Sequence, residues 1–381
     1  MKITAIDVYL LSLPLRNPLR FETVPFSTNL CEWSRLETVL VRLCSEDAYG
    51  WGEACPGNGP FWSSEWAGAT FYALRDWLGP RLIGRECGTP QELHEHLAIF
   101  RGHRAAVAAL DMAFWDLKSR AKNHPLYEEL GAKPRELTLG TSLDRPGHVT
   151  IDEFLGDLAK AFESGYSRVT VKVRPGWDLQ MLNVVRHEFP TQNIHGDFEG
   201  ALTLNHLEIL YRIDDFTLNL IEQPLPPDDL VGHAMVQEAL RTPICLDESI
   251  TTPAQADMAL ELHSAKYLNI NPVRVGGLTA SKAIHDAAHN HCVPCYLGMY
   301  PGTTVSVRAS LALAALPNFC SAADFWDTTQ TLVEDIAEPL EPMRSQETGG
   351  LSVAFWSNAG LGVDPALEVL HKYSLAECHL S

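Results

Sequence analysis

Three acidic residues recur at one interval. Asp197 lies in "HGDFEG", Glu222 in "LIEQPL" and Asp247 in "CLDES", and the separations 222 − 197 and 247 − 222 are both 25. Each acid ends a short apolar run. Carboxylates brought to a common level form an all-oxygen ligand set, which suits a hard divalent cation, Mg²⁺ first and Mn²⁺ next. A lone acid in such a place is ordinarily a solvated loop residue; three at equal spacing call for another reading. Upstream, "VTVKVRPG" alternates valines with Thr170, Lys172 and Arg174. On a strand Lys172 and Arg174 share a face about 7 Å apart. Like charges pointing into a fold need anions opposite them, and the three acids supply that surround. Glu199, Glu248, Asn269, Asn271 and Tyr300 stand at similar places in the chain.

The elements that must carry these residues follow a beat. From residue 137 short apolar strands are expected near 137–143, 168–174, 193–198, 217–222, 243–247, 266–270, 293–297 and 319–324, with amphipathic segments such as "DLQMLNVVRHEF" between them. Strands alternating with helices predict a (β/α) barrel, whose functional groups sit where strands end; a doubly wound open sheet is the weaker alternative. No Gly-x-Gly-x-x-Gly opens a helix, which argues against a dinucleotide fold. Ahead of the barrel, strands at 2–13, 36–44 and 48–54 and helices at 66–78, 89–98 and 102–121 predict an α+β domain spanning 1–135. The barrel then covers 136–330, and the tail 331–381 returns to the first domain.

Bulk properties remove other classes. In 381 residues, 48 Asp and Glu against 29 Lys and Arg leave a charge of −19, which repels phosphate backbones and anionic membranes. Neither nucleic acid nor membrane is expected as a partner. The apolar start "MKITAIDVYLLSLPL" is broken by Asp7 and reads as a first strand rather than a signal peptide, and no run reaches membrane length. Nine cysteines without a framework pattern read as reduced thiols of a cytoplasmic protein. Cys292-Val-Pro-Cys295 lies in an apolar strand with no second pair, so redox or zinc chemistry is not expected there.

The segments "GWGEACP", "AAVAALDMAFWDL", "LIEQPL", "PICLDESI", "NINPVRVGGL" and "LALAALPNF" resemble the enolase superfamily in its muconate-lactonising branch. Within that branch the likeness is greatest to N-acylamino acid racemases and o-succinylbenzoate synthases, and it covers nearly the whole chain. It implies an α+β capping domain, completed by the C-terminal tail, on a modified TIM-type (β/α)₇β barrel. It also implies a metal held by Asp197, Glu222 and Asp247, and a small carboxylate substrate whose α-proton is removed to give a metal-stabilised enediolate. Capping loops at 17–30 and 55–64 would cover the pocket, and a homo-oligomer is expected.

The chain departs from that family at two places. Relatives carry Lys-x-Lys on the second strand and another lysine on the sixth as the acid–base pair; here those positions hold Arg174 and Asn271. A lysine of pKa near 10.4 is neutral about once in 10³·⁴ at pH 7, whereas arginine is neutral roughly three orders less often, about 4–5 kcal/mol worse as a base. Asparagine does not titrate. Racemisation needs a proton carrier on each face of the α-carbon, so it is not expected. Elimination or cycloisomerisation needs one. Lys172 is one candidate, and Arg174 paired with Tyr300 another, as in the mannonate dehydratase branch. Glu199 has three roles open to it: fourth ligand, general base, or ion-pair partner of Arg174. His195 reads as a satisfied core histidine, and His94 and His96 as surface residues. Two readings follow: a divalent-metal-dependent lyase or cycloisomerase, or an inactive homologue that binds a metal and carboxylate or acts as a scaffold.

Overall fold

The structure, a computed structural model, describes residues 1–22, 30–61, 63–143, 150–173 and 178–381. Three N-terminal strands, β1 (Ala5–Glu22), β2 (Leu30–Cys44) and β3 (Tyr49–Ala54), form an antiparallel sheet. β1 runs well past the expected residue 13. Pro14 can donate no ladder bond, and the register slips between Pro14 and Leu19 before pairing resumes. That extension carries Leu19–Phe21 toward the barrel mouth. The alanine-rich helix Arg104–Ala121 lies against β3. A Cβ on Gly50 would stand 2.2 Å from Ala113 O, and one on Gly52 would stand 2.1 Å from Ala109 O. The two glycines of "GWGEA" therefore let backbone meet backbone. The helix expected at 66–78 is in fact an α-turn, Ala67–Ala73, followed by a wider i→i+5 turn, Leu74–Leu78.

The barrel strands are β4 (Leu137–Leu143), β5 (Arg168–Lys172), β6 (Ile194–Asp197), β7 (Leu220–Glu222), β8 (Ile244–Leu246), β9 (Tyr267–Ile270), β10 (Cys295–Leu297) and β11 (Ala323–Asp324). Seven of them are followed by a helix of eight residues or more, and neighbours from β4 to β10 pair in parallel. β11 pairs with β4, while Phe319 just ahead of it bridges Cys295 of β10, so the ring closes as (β/α)₇β. The tail divides. Its hairpin of β12 (Met343–Arg344) and β13 (Leu351–Val353) adds antiparallel to β4, and β14 (Ser374–Leu380) joins the capping sheet beside β1.

Buried carboxylates in the capping helix join the parts. Asp116 accepts the amides of Trp51 (2.8 Å) and Leu361 (2.7 Å), tying sheet to tail. Asp111 accepts the Thr279 amide at 3.0 Å, at the start of barrel helix Leu278–Asn290. His94, expected at the surface, is half-buried with Nε2 2.8 Å from Asp111 Oδ1, because the Asp111 carboxylate lies fully inside and needs a partner. No described helix is long and apolar enough to cross a membrane.

Candidate active site

Strand register brings the acids together. Asp197 and Glu222 are direct Cα partners on β6 and β7. Glu222 partners Cys245 on β8, and Asp247 follows two residues later. Lys172, which ends β5, is the Cα partner of Asp197. Its Nζ donates to Asp197 Oδ2 at 2.5 Å and to Glu199 Oε1 at 2.8 Å. Glu199 has left-handed backbone, φ 47°, and its amide donates to Asp197 Oδ1 at 3.0 Å. Arg274 donates through Nη1 to Asp247 Oδ1 and is braced by the carbonyls of Ile250 (3.0 Å) and Asn269 (2.7 Å). Asn269 Nδ2 donates to Glu222 Oε1 at 2.8 Å.

The charges do not balance. Among the described residues around this cavity, of about 530 Å³, are the acids Asp197, Glu199, Glu222, Asp247, Glu248 and Asp324 and the cations Arg20, Lys172 and Arg274, an excess of 6 − 3 = 3 acidic side chains over basic ones. Burial, then the charges of Asp197 and Asp247, pushes Glu222 well above the ordinary carboxylate range. Burial likewise raises Glu248, with Asp247 and Asp197 adding to it. Burial alone would depress the Lys172 amine, but Asp197 and Glu199 more than offset it and hold it well above its usual value. Burial also pushes the Tyr300 hydroxyl up to about 12, so it keeps its proton at neutral pH. Two acidic oxygens, Glu222 Oε2 and Glu248 Oε2, are buried with no hydrogen-bond partner among the described residues.

Among the described residues, no three His, Cys, Asp or Glu side chains are drawn close enough to hold a metal ion. Asp197 and Asp247 are turned onto Lys172 and Arg274 instead. The capping domain contributes Leu19, Arg20, Phe21 and Phe61 to the lining of this cavity, alongside Met299, Phe325 and Trp326 of the barrel. Phe21 packs edge-on against Trp33 at 4.8 Å, and Phe61 lies 6.0 Å from Phe21. A second cavity, about 600 Å³, opens at the other end of the barrel, where strands begin. It gathers no acids, so the chemistry points to the first.

Residues 13–131 match the mandelate racemase / muconate lactonizing enzyme N-terminal domain, and 154–369 match the enolase C-terminal domain-like family. The chain belongs to the enolase superfamily. It is 33% identical to o-succinylbenzoate synthase of Bacillus subtilis, over 98% of this chain and 97% of that one. It is 34% identical to N-succinylamino acid racemase of Thermus thermophilus, with both chains fully covered. An enolase-superfamily protein from Listeria innocua matches with a TM-score of 0.90 and 26% identity, over 100% of this chain and 99% of that one. The chain thus stands among enzymes, of lyase and isomerase kinds.

Within this enolase-superfamily frame, Asp197, Glu222, Asp247, Lys172, Glu199, Asn271 and Tyr300 all border one cavity. Arg174 lies outside the described residues, as do 23–29 of the covering segment. Asn271 Oδ1 accepts the amides of Val273 (3.1 Å) and Arg274 (3.4 Å), capping the short helix Pro272–Val275. His195 is buried as expected but is not satisfied: Nδ1 has no partner among the described residues, and burial, then the Arg168 charge, lowers its pKa well below the ordinary value. Arg274 escaped the sequence reading, although a lone cation in the apolar run "NPVRVGGL" was a usable signal. Arg168 escaped it too. It shares the inward face of Lys172, is fully buried, and pairs with Asp324 and Thr170.

Proposed function

We propose that this protein is a divalent-metal-dependent lyase or cycloisomerase acting on a small carboxylate through an enediolate-type intermediate. The observation that carries the reading is Glu222. It is buried, one oxygen is unpartnered, and Asp197 and Asp247 both press their charge upon it. Three mutually repelling carboxylates at or just past adjoining strand ends fit a hard cation, with Asp197 paired to Lys172 and Asp247 to Arg274. When bound, Mg²⁺ would supply positive charge to the substrate carboxylate and so ease loss of the α-proton.

The chain's own residues divide the remaining work. Asp197, Glu222 and Asp247 would hold the metal, and Lys172, whose Nζ reaches Asp197 and Glu199, would be the residue that takes up and returns the proton. Tyr300 keeps its proton and offers a hydroxyl donor. Asn271 cannot move a proton, and its Oδ1 already caps a helix. Arg174 orients the substrate. Leu19, Phe21, Phe61 and Trp326 exclude water from the reacting carbon. The alternative, a binding or scaffold protein, draws on the absence of lysine at 174 and 271.

Product analysis with metal-stripped and Mg²⁺-loaded protein separates these readings. The panel would hold N-acylamino acids, the o-succinylbenzoate precursor and sugar acids. Metal-dependent product that is lost in Glu222→Gln is the expected result. Absence of product across the panel, with Mg²⁺ bound, overturns the enzyme reading.

A further inference from the structure

Gln223 follows Glu222 directly and is fully buried, yet it neither faces the cavity nor packs as an apolar residue would. Its backbone is left-handed, φ 38°, a conformation that costs a non-glycine residue about 1–3 kcal/mol and persists only where its surroundings hold it. That turn throws the side chain sideways, under the neighbouring loop. There Oε1 accepts two amides, Asp247 N at 2.9 Å and Ser249 N at 3.2 Å. Nε2 donates to Leu225 O at 3.0 Å and to Ser249 Oγ at 2.8 Å. The amide cannot be reversed. His233 Nδ1 lies 2.7 Å from Asp229 O and so carries the proton, which leaves Nε2 an acceptor, 3.2 Å from Leu225 N and 3.4 Å from Gln223 Nε2.

The main chain of Gln223 extends the same connections. Its N–H donates to Cys245 O at 2.9 Å on β8, and its carbonyl accepts Gly200 N at 2.7 Å from the loop that carries Glu199. One residue thus ties the ends of β6, β7 and β8, the strands that bring Asp197, Glu222 and Asp247. Nothing in β-sheet pairing requires this, because the ladder between β7 and β8 stops at Cys245, two residues short of Asp247. Asp247 follows Leu246, the last β8 residue paired with β9, and its carbonyl accepts the Ile250 amide at 2.9 Å; its own N–H is held by Gln223 Oε1.

We propose that Gln223 is the positioning residue that sets Asp247 level with Glu222 and Asp197, so that the three carboxylates bind a divalent ion with one geometry. This rests on the metal reading above. Gln223→Met keeps the length and bulk of the side chain and removes every hydrogen bond made by Oε1 and Nε2. Gln223→Glu keeps an acceptor oxygen for the amides of Asp247 and Ser249.

The test is Mn²⁺ binding to the whole protein without substrate, followed by electron paramagnetic resonance for both affinity and line shape. Metal-free melting temperature is read in parallel. Outer-shell contacts of this kind change metal affinity by about 10–100-fold. Gln223→Met is therefore expected to weaken Mn²⁺ by at least ~10-fold and to broaden the spectrum as the ligand symmetry is lost. Gln223→Glu should restore most of the affinity. A purely structural role would lower the melting temperature and leave Mn²⁺ affinity and line shape as in the wild type, and that result overturns the proposal. If Gln223→Met does not fold, Ser249→Ala, which removes one tie to Nε2, takes its place; a measurable loss of Mn²⁺ affinity supports the proposal and an unchanged value overturns it. Wild-type protein that takes up no Mn²⁺ at this pocket overturns the metal reading, and the role of Gln223 falls with it.

Discussion

Replacing Lys172 by methionine removes a cation while keeping the length of the side chain. In the wild type its Nζ serves Asp197 and Glu199 together, at 2.5 and 2.8 Å. Among the described residues lining the cavity, the excess of acids over cations would rise from 3 to 4. Removing one partner of a buried pair costs about 3–5 kcal/mol, since the charge left behind is uncompensated. At roughly 1.2 °C per kcal/mol for a chain of this size, metal-free Lys172→Met should melt about 4–6 °C below the wild type. The same lysine competes with a metal for Asp197, so Mg²⁺ should stabilise the variant more than the wild type. At 100 times its dissociation constant the ion contributes about 2.7 kcal/mol, enough to recover much of the loss. Scanning calorimetry with EDTA and with Mg²⁺ measures both effects. A metal-free variant that melts with the wild type, or equal Mg²⁺ shifts in the two proteins, would refute the reasoning.

Other outcomes follow from contacts outside the cavity. Gly52→Ala places a methyl 2.1 Å from Ala109 O and 2.5 Å from Ala113 N, so urea unfolding should show a loss at or above the upper end of the ~1–3 kcal/mol that overpacking costs. Burial alone would raise Asp214, but hydrogen bonds from Thr242 and Arg241 hold it down to about 2. A depressed carboxylate contributes stability above its unfolded pKa, near 3.8, and loses it as pH falls through 2. Asp214→Asn should therefore cost ~1–2 kcal/mol at pH 7, allowing for partial exposure, with the gap closing toward pH 2 in urea titrations. Restoring lysine at both 174 and 271 should bring N-acylamino acid racemisation, followed by polarimetry. Losing the Asn271 cap costs that variant about 1 kcal/mol, and a folded, metal-binding variant with no racemisation counts against the assigned positions.

Much of the barrel was legible because its cues are local. Apolar runs near 137–143 and 193–198 became β4 and β6, and the equal 25-residue spacing matches Asp197 and Glu222 at the ends of β6 and β7, with Asp247 one residue past the end of β8. The run at 319–324 shrank to β11, since Phe319 makes a single bridge to Cys295 before pairing moves to β4. What escaped depends on partners far along the chain. Arg168 meets Asp324 across 156 residues, and only ring closure sets them face to face. Gln223 was visible in "LIEQPL", but its role depends on a left-handed turn that spacing does not encode. Arg274 finds Asp247 27 residues away, through a cap made by Asn271, whose own position was read only as a lost lysine.

The most direct test of the central claim is deuterium exchange. Mg²⁺-loaded protein is incubated with the candidate acids in D₂O, and the α-carbon is followed by NMR. The account predicts metal-dependent α-proton loss, with an elimination or cycloisomerisation product and no scrambling of configuration, since one acid–base group serves one face. Neither exchange nor product across the panel would contradict it, and so would racemisation by the unaltered protein.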